Sequence, residues 1–378
     1  MSRRSDTSGL RVALDATPLL GQPTGIGRYT AELLSALTRL PAGERPAELL
    51  GAAFTWRGRE ALPARLPAGV TAVGRRAPAR LLREAWQRTE FPSLPMLGAR
   101  ADVVHGTNFV LPPPGRGVGG VVTVHDLSYL RYPDTVSTAS ARYRELVPKS
   151  LRRAALVVTD TQAVADEVVE EYRLPADRVR AIPLGVDPAW FDAPVGPPPG
   201  LGLPERYLLF VGTLEPRKDV ATLLDAFRRL RRTDPQTPPL VLAGPSGWGP
   251  ALDTAGLTAA DVVQLGYVDS ATLRAVVAHA AALCFPSLYE GFGLPPLEAL
   301  AAGTPVIASD IAPLREVLNL VTESVKLVPV RDAEALSYAI MQTLAAPPDP
   351  APGRAHARLF TWDKTAVMTA QAYRDSVD

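Results

Sequence analysis

Two glutamates lie eight positions apart in a stretch that reads CFPSLYEGFGLPPLEALAAGTPVIASD. Glu290 falls in a glycine turn and Glu298 in the predicted helix that follows, so both side chains can face the same ligand. An ionised carboxylate only accepts hydrogen bonds, which suits it to vicinal hydroxyl groups such as those of a ribose or a hexose. The spacing alone leaves a second interpretation open, in which Glu298 is a solvated helix residue and Glu290 belongs to the turn.

The elements around the two glutamates form a strand, loop, helix, strand unit. The run AALCFPS ends a buried strand, Pro295 and Pro296 begin a helix, Gly303 follows the helix, and TPVIASD is the next strand. In an open parallel sheet such a loop lies at the carboxyl edge of the strands, where ligands bind. Glycines on both sides of Phe292 leave backbone N–H groups accessible to a diphosphate, and the helix dipole favours that anion.

Two cations occupy a second loop of the same kind, in YLLFVGTLEPRKDVATLLDAFRRL. Arg217 and Lys218 follow a predicted strand and precede a helix with an apolar face. Paired cations at this place suit a diphosphate leaving group, because they neutralise the charge that develops on the departing oxygen. A solvated turn is the alternative interpretation.

Two histidines end apolar strands in the first half of the chain, His105 in ADVVHG and His125 in VVTVHD. A single histidine more often has a structural role than a catalytic one. We favour His125 as the functional residue, because it directly follows an apolar strand and should lie at the ligand-binding edge of the sheet. Asp126 beside it either binds an acceptor or fixes the loop, and both interpretations stay open.

The first predicted helix, in GQPTGIGRYTAELLSALTRL, opens with a glycine loop. Gly25 and Gly27 could bring the backbone close to a phosphate or an acceptor. The signal is weak by itself, since the dinucleotide-binding pattern of three spaced glycines is absent.

The length and composition predict two globular domains. The chain has 378 residues, of which 47% are hydrophobic and 21% charged, more than one ordinary core accommodates. Strands and helices alternate throughout, which is typical of an α/β fold. The proline-rich segment 193–204 is a predicted linker between domains at 1–192 and 205–355, and 356–378 contains an amphipathic terminal helix.

Cysteine content and charge exclude several classes of protein. The single cysteine, Cys284, lies in an apolar strand, which argues against disulfides and thiolate metal sites and favours the cytoplasm. No signal peptide or membrane span is predicted, and a net charge of +1 without basic aromatic repeats argues against nucleic-acid binding. The arginine-rich helix in GRRAPARLLREAWQR could contact anionic lipid from the N-terminal domain or hold an anionic acceptor, although a solvated face is the favoured interpretation.

The stretch from Glu290 to Glu298 resembles the E-x7-E signature of the family 4 retaining glycosyltransferases, and the resemblance extends over nearly the whole chain. It implies the GT-B fold, with two Rossmann-like domains facing a central cleft. In that family the first glutamate contacts the transferred sugar and the second holds the nucleotide ribose. The loop that meets the diphosphate corresponds here to Gly291, Phe292, Gly293 and Leu294.

The resemblance implies further roles. His125 corresponds to the histidine that meets the transferred sugar, and Lys218, followed by Arg217, corresponds to the phosphate ligands. The loop of Gly25 and Gly27 would lie over the donor diphosphate and part of the acceptor site. Val268, in the GYV segment, would border the nucleotide base.

Two segments depart from the family pattern. Thr213 stands where many relatives have an arginine, and residues 319–325 are more apolar and longer than the usual turn. The implied reaction is hexose transfer from a nucleotide diphosphate sugar to a hydroxyl acceptor with retention, and GDP-mannose is the leading donor because the chain looks nearest to the O-antigen mannosyltransferase branch. A metal ion is not expected, since Asp-x-Asp is absent. The alternatives are a nucleotide-sugar epimerase, a glycan phosphorylase or a catalytically silent nucleotide-sugar-binding scaffold.

Overall fold

The structure is a computed structural model that describes residues 9–21, 25–55, 59–74, 78–194, 196, 200–318 and 323–377. By internal contacts the chain divides into two compact units. The first comprises Met1–Tyr129, Ala139–Gly185 and Thr361–Asp378, and the second comprises Leu130–Thr138 and Val186–Phe360. The chain thus enters the second unit before the proline-rich segment 193–204, of which residues 195 and 197–199 lie outside the described part.

The first unit contains a parallel sheet. Its strands are β1 (Arg11–Asp15), β2 (Glu48–Ala52), β3 (Val70–Val73), β4 (Val103–Gly106), β5 (Gly119–Thr123), β6 (Leu156–Thr159) and β7 (Val179–Ala181). They lie in the order β3-β2-β1-β4-β5-β6-β7. The helices of this part of the chain are α1 (Gly25–Arg39), α2 (Leu62–Arg65), α3 (Ala79–Arg88), α4 (Ser128–Arg131), α5 (Thr138–Ala141), α6 (Tyr143–Arg153) and α7 (Gln162–Tyr172).

The second unit contains another parallel sheet. Its strands are β8 (Leu208–Val211), β9 (Leu240–Ala243), β10 (Val262–Gly266), β11 (Ala282–Phe285), β12 (Val306–Ser309) and β13 (Val325–Val328). They lie in the order β10-β9-β8-β11-β12-β13. The helices are α8 (Val220–Thr233), α9 (Ser270–His279), α10 (Leu294–Ala302), α11 (Ala312–Leu318), α12 (Ala333–Ala345) and α13 (Pro350–Ala357), and α14 (Trp362–Asp375) follows. Single 3₁₀ turns lie at Thr17–Leu19, Arg59–Ala61, Leu94–Leu97, Pro133–Thr135, Ala176–Arg178, Pro188–Trp190 and Pro216–Lys218.

The strand sequences explain why both sheets are parallel and covered on both faces. The central strands β5, β8 and β11 are buried at every position, as expected for apolar runs that have helices on either side. In the second unit Phe210 of β8 packs in one core with Phe227 of α8 and Ile340 of α12. The α/β prediction with two Rossmann-like domains is confirmed.

The last helix, α14, belongs to the first unit and begins at a sequence-encoded cap, since the Thr361 hydroxyl accepts the Lys364 N–H. Tyr373 of α14 is buried, and its hydroxyl lies 2.8 Å from Nδ1 of His105 on β4. A Cβ atom on Gly185 would lie 2.1 Å from the Trp362 nitrogen, so only glycine allows this close approach at the start of α14.

The apolar side of the arginine-rich helix α3 packs inside the first unit. Leu82 and Trp86 are buried, and the Trp86 ring meets Phe54 edge to face at 6.2 Å. Leu81 is exposed. Arg75 and Arg76 lie outside the described residues, as do the Arg80 and Arg83 side chains, so lipid contact through this helix stays a prediction. Throughout the described part of the chain, no helix combines the length and apolarity needed to cross a membrane.

Both sheets reverse their strand order at one point. The chain moves outward from β1 to β3 and then returns to β4 on the other side of β1, and the second unit repeats this with β8 to β10 and then β11. Loops that leave the carboxyl ends of two such neighbouring strands diverge and form a crevice, which is where α/β sheets bind ligands. The candidate site residues therefore have to be sought after β1, β4, β8 and β11.

Candidate functional site

In the second unit, the loops that follow β8 and β11 meet at the reversal point. The loop after β8 carries Arg217 and Lys218 in the turn Pro216–Lys218, and the loop after β11 carries Glu290. The Leu288 N–H donates to the Arg217 carbonyl at 2.8 Å, which joins the two loops. The structure thus brings together three of the residues that the sequence singled out.

The three side chains form a largely buried ion-pair cluster, in which the Arg217 and Lys218 side chains are 15% and 12% exposed. Lys218 Nζ donates to Glu290 Oε1 at 2.5 Å, and Arg217 Nη1 donates to Glu290 Oε2 at 3.1 Å. Arg217 also donates to the Tyr289 carbonyl at 2.6 Å and to Glu215 Oε1 at 2.7 Å. The Lys218 ammonium lies 4.8 Å from the centre of the Phe285 ring, the last residue of β11. A solvated turn is therefore the wrong interpretation for these cations.

The electrostatics of the cluster favour an ionised Glu290. Burial opposes its charge, but the attraction of Lys218 and Arg217 outweighs burial and lowers the pKa of Glu290 from 4.5 to about 2. Burial raises the pKa of Glu215. Burial also lowers the pKa of Lys218 below its usual value, although Glu290 opposes this shift. An anion bound beside Lys218 would add to the opposing effect of Glu290 and hold the ammonium charged.

The glycine loop leads directly into α10, as predicted. Gly293 caps the helix in the left-handed conformation at φ 96°, and a Cβ there would lie 2.4 Å from Leu314 Cδ2. Pro295 and Pro296 lack N–H groups, so backbone donors for an anion at this helix end come from Leu294 and the loop before it. The Phe292 side chain is buried, and its ring meets Phe360 edge to face at 5.9 Å. The predicted contribution of Gly291, Phe292, Gly293 and Leu294 through their backbone fits this geometry.

Glu298 lies on α10 and is only 3% exposed, while Glu290 is 7% exposed. Burial rules out the interpretation of Glu298 as a solvated helix carboxylate. Its position on α10 is compatible with a contact to the nucleotide ribose, and that contact stays a prediction.

Val268, Gly25 and Gly27, which were also predicted to contact the donor, are not part of this ion-pair cluster. Val268 follows β10, which β9 and β8 separate from β11. Thr213 follows β8, and its Cγ2 would lie 2.8 Å from a Cβ on Gly247, so glycine allows the two loops to approach. Gly25 and Gly27 form the first turn of α1 and not the predicted loop, because the backbone is already helical there.

In the first unit, His125 lies just beyond the carboxyl end of β5. Its Nδ1 lies 2.8 Å from Asp160 Oδ2, after β6, and its Nε2 lies 3.0 Å from the Thr107 carbonyl, after β4. The Thr107 hydroxyl donates to the Asp15 carbonyl at the end of β1. His125 thus lies one strand beyond the reversal point, and Thr107, in the loop after β4, links its ring to the end of β1.

His105 has the structural role that the sequence left open for it. Its ring nitrogens lie 2.8 Å from the Tyr373 and Thr123 hydroxyls, and burial lowers its pKa to about 3, so the ring is neutral. Asp126 is half-buried, and its Oδ1 accepts the Ser128 N–H at 2.9 Å where α4 begins. This bond supports the loop-fixing interpretation of Asp126, and its acceptor role stays a prediction.

Two buried acids were missed by sequence reasoning. Glu215 pairs with Arg217, and Asp160 pairs with His125. Glu215 lies two residues before Arg217 in the same GTLEPRK segment, so the proximity of an acid to the two cations was an available signal. Asp160 lies 35 positions from His125, and only the adjacency of β5 and β6 brings them together.

Comparisons with known proteins follow the same division of the chain. A family model described as Glycosyltransferase Family 4 matches residues 23–190, and one described as Glycosyl transferases group 1 matches residues 205–346. The chain is 30% identical to O-antigen chain mannosyltransferase B of Escherichia coli over 394 residues, which cover 97% of this chain and 100% of that protein.

Solved structures show the fold. Sucrose-phosphate synthase from Thermosynechococcus elongatus is similar with a TM-score of 0.68 and 22% identity, covering 96% of this chain and 98% of that one. Anabaena HepE in complex with UDP-glucose is similar with a TM-score of 0.66 and 17% identity, covering 96% and 99%. Together with the two parallel sheets, these similarities confirm the predicted GT-B fold.

Proposed function

This chain belongs to glycosyltransferase family 4, and from that premise we propose that it is a retaining mannosyltransferase. It takes mannose from GDP-mannose and transfers it to a hydroxyl group of a glycan, glycolipid or small-molecule acceptor. The choice of sugar is supported by the 30% identity to an O-antigen chain mannosyltransferase over the full length of that protein. The similar structure of HepE in complex with UDP-glucose supports a nucleotide sugar as the donor.

The observation that carries the proposal is the buried cluster of Lys218, Arg217 and Glu290 at the reversal point of the second sheet. Two cations and the start of α10 lie at the edge where a diphosphate would be held. A carboxylate fixed beside them can accept hydrogen bonds from sugar hydroxyls.

In the proposed reaction, the bond between the anomeric carbon and the diphosphate oxygen breaks while the acceptor hydroxyl forms a new bond to that carbon on the same face, and the hydroxyl proton passes to the departing diphosphate. Lys218, Arg217 and the loop amides stabilise the charge that develops on the departing diphosphate. Glu290 positions the sugar, Glu298 holds the ribose, and His125 is a further proposed contact for the sugar. No enzymatic nucleophile is required, and retention follows from attack on the face that the diphosphate leaves.

We also propose that the reaction needs no metal ion, since protein cations and backbone amides can take over the neutralisation of the diphosphate. Transfer should therefore continue in excess EDTA. Loss of turnover that added Mg²⁺ restores would contradict this part of the proposal.

A binding screen tests the donor. Purified protein is examined by thermal shift against GDP-mannose, UDP-glucose, UDP-N-acetylglucosamine and dTDP-rhamnose, each compared with its bare nucleotide. We expect GDP-mannose to stabilise the protein most, and ¹H NMR of the product should show the anomeric configuration of the donor.

Preference for another nucleotide sugar would replace the proposed donor while keeping the reaction class. Conversion of the donor without any acceptor would indicate an epimerase, and dependence on inorganic phosphate a phosphorylase. Binding of none of the four by folded protein would favour a silent scaffold over an enzyme.

A further inference from the structure

Both ring nitrogens of His125 are engaged by the protein. Nδ1 meets Asp160 Oδ2 at 2.8 Å and Nε2 meets the Thr107 carbonyl at 3.0 Å. His125 is 9% exposed and Asp160 is 3% exposed, so water does not compete effectively for these bonds.

The partners fix where the protons lie. A carbonyl oxygen only accepts, so Nε2 must carry a hydrogen that it donates to Thr107. A second proton then lies between Nδ1 and Asp160 Oδ2. With that proton on the ring, His125 is a cation balanced by a carboxylate, which is the favoured state because each buried charge has its counter-charge within hydrogen-bond distance. Burial lowers the pKa of His125, but the attraction of Asp160 outweighs burial and raises it above 6.5.

The surroundings hold the ring in this orientation. The Tyr29 ring from α1 meets it edge to face at 4.8 Å, and the Phe109 ring meets it at 5.6 Å. Phe109 adopts a left-handed backbone at φ 60°, a conformation that is strained for a residue other than glycine and that the surrounding contacts must maintain. Rotation of the imidazole would break both hydrogen bonds and disturb both ring contacts.

The other titratable groups near the ring do not replace Asp160. Asp126, the neighbouring residue, bonds the Ser128 N–H with one of its carboxylate oxygens. His105 on β4 is neutral, since burial lowers its pKa to about 3, and burial raises the pKa of Tyr29 on α1, so that its hydroxyl is neutral as well. Among the described residues, Asp160 Oδ1 has no hydrogen-bond partner, so the bond to His125 is the one that anchors this carboxylate.

We propose that Asp160 is a positioning residue that holds the His125 ring in one orientation and as a cation, so that neither ring nitrogen exchanges a proton with substrate. His125 then acts in sugar transfer through its place and charge and not as a general acid or base. This inference rests on the proposed function of His125 as a contact for the transferred sugar.

Three variants distinguish the effect of the His125 ring orientation from the effect of the ring charge. Asp160→Ala removes both the hydrogen bond and the carboxylate. Asp160→Asn keeps the orientation, because the amide can donate to Nδ1 while Nε2 still donates to Thr107, but the ring becomes neutral. Asp177→Asn, at an exposed position of the same unit, is the control for the substitution itself.

The ring state is read directly from the ¹⁵N spectrum of His125, which does not require activity. We expect wild-type protein to show two protonated ring nitrogens at pH 7, and Asp160→Asn to show one. A neutral ring in the wild type at pH 7 would overturn the inference.

Kinetics provide the second readout. We expect Asp160→Ala to lower kcat about tenfold to a hundredfold, as misplacement of a site group does, and Asp160→Asn to lose less. Because burial disfavours the cationic form of an unpaired His125, acid pH should partly restore the rate of Asp160→Ala, whereas wild-type kcat should show no histidine titration around pH 7. Wild-type kcat in folded Asp160→Ala would refute the positioning role. If wild-type protein transfers no sugar at all, the proposed function fails, and the ¹⁵N spectrum still decides whether Asp160 holds the ring.

Discussion

The Lys218 ammonium makes both of the contacts that a neutral substitution would remove. It pairs with Glu290 and lies 4.8 Å from the centre of the Phe285 ring, so Lys218→Met removes the charge while keeping an unbranched side chain of similar length. Loss of one preorganised group at a site of developing charge typically costs about a hundred- to a thousandfold in rate, and we expect a loss of this size in kcat. The same substitution at Lys364, exposed on α14, should have little effect. Transfer by Lys218→Met at the wild-type rate would exclude Lys218 from the reaction.

The lowered pKa of Glu290 makes a prediction about stability. Its value falls from 4.5 to about 2 on folding, so ionised Glu290 stabilises the folded state above about pH 4.5. That contribution is lost as the pH falls toward 2, where the carboxyl group takes up a proton in both states. In urea unfolding, wild type should therefore be more stable than Glu290→Gln at pH 7, and the difference should shrink between pH 5 and pH 3. A difference that stays constant over this range would mean that Lys218 and Arg217 do not lower the pKa of Glu290.

At the scale of the element, the turn before α10 depends on one glycine. Gly293→Ala forces a left-handed alanine, which costs about 1–2 kcal/mol, and its Cβ must also displace Leu314 Cδ2. Gly256 has a comparable φ of 77° and open space around its Cβ position, so Gly256→Ala measures the backbone cost alone. We expect Gly293→Ala to be the less stable of the two and to lose affinity for nucleotide by calorimetry. If the two variants bound nucleotide with equal affinity, the turn before α10 would not contribute to donor binding.

The sequence predicts this element well because its signals are local. Prolines begin α10 and Gly303 ends it, as expected. Local signals fail where a partner is remote. The pair of His125 and Asp160 depends on the pairing of β5 with β6, which no short stretch of sequence encodes. The opposite error occurs at α1, where a local signal predicts a loop that does not form. Glycine permits a loop conformation but does not require one, and Gly25 and Gly27 are both helical.

At the scale of the whole molecule, the two units repeat one strand order but carry their charged residues at different points of it. Lys218 and Glu290 follow β8 and β11, the strands at the reversal point of the second sheet, whereas His125 and Asp160 follow β5 and β6, one and two strands beyond the reversal point of the first. Their chemistry differs, since the cations of the second unit suit an anion and the closed pair of the first unit balances itself. We therefore assign the nucleotide to the second unit in the proposal above.

This assignment can be tested with two equivalent substitutions. Tyr373 and Tyr207 are both fully buried, and each hydroxyl makes one hydrogen bond, to His105 in the first unit and to the Val276 carbonyl in the second. Replacing either tyrosine with phenylalanine leaves a buried polar group unpaired, which costs about 1–3 kcal/mol. Since the units have separate cores, we expect calorimetry to resolve two unfolding transitions, of which Tyr373→Phe lowers one and Tyr207→Phe the other.

GDP then identifies the unit that binds the nucleotide. A ligand that binds only the folded form stabilises it by about 2.7 kcal/mol at a concentration of 100 Kd, and the gain falls on the transition of the unit that holds it. We expect GDP to raise the transition that Tyr207→Phe lowers and to leave the other nearly unchanged. A rise confined to the transition that Tyr373→Phe lowers would place the nucleotide in the first unit and remove the diphosphate role from Lys218 and Arg217. A single transition that both substitutions lower equally would show that the two cores unfold as one, and the position of the nucleotide would then be determined from the loss of GDP affinity in Lys218→Met.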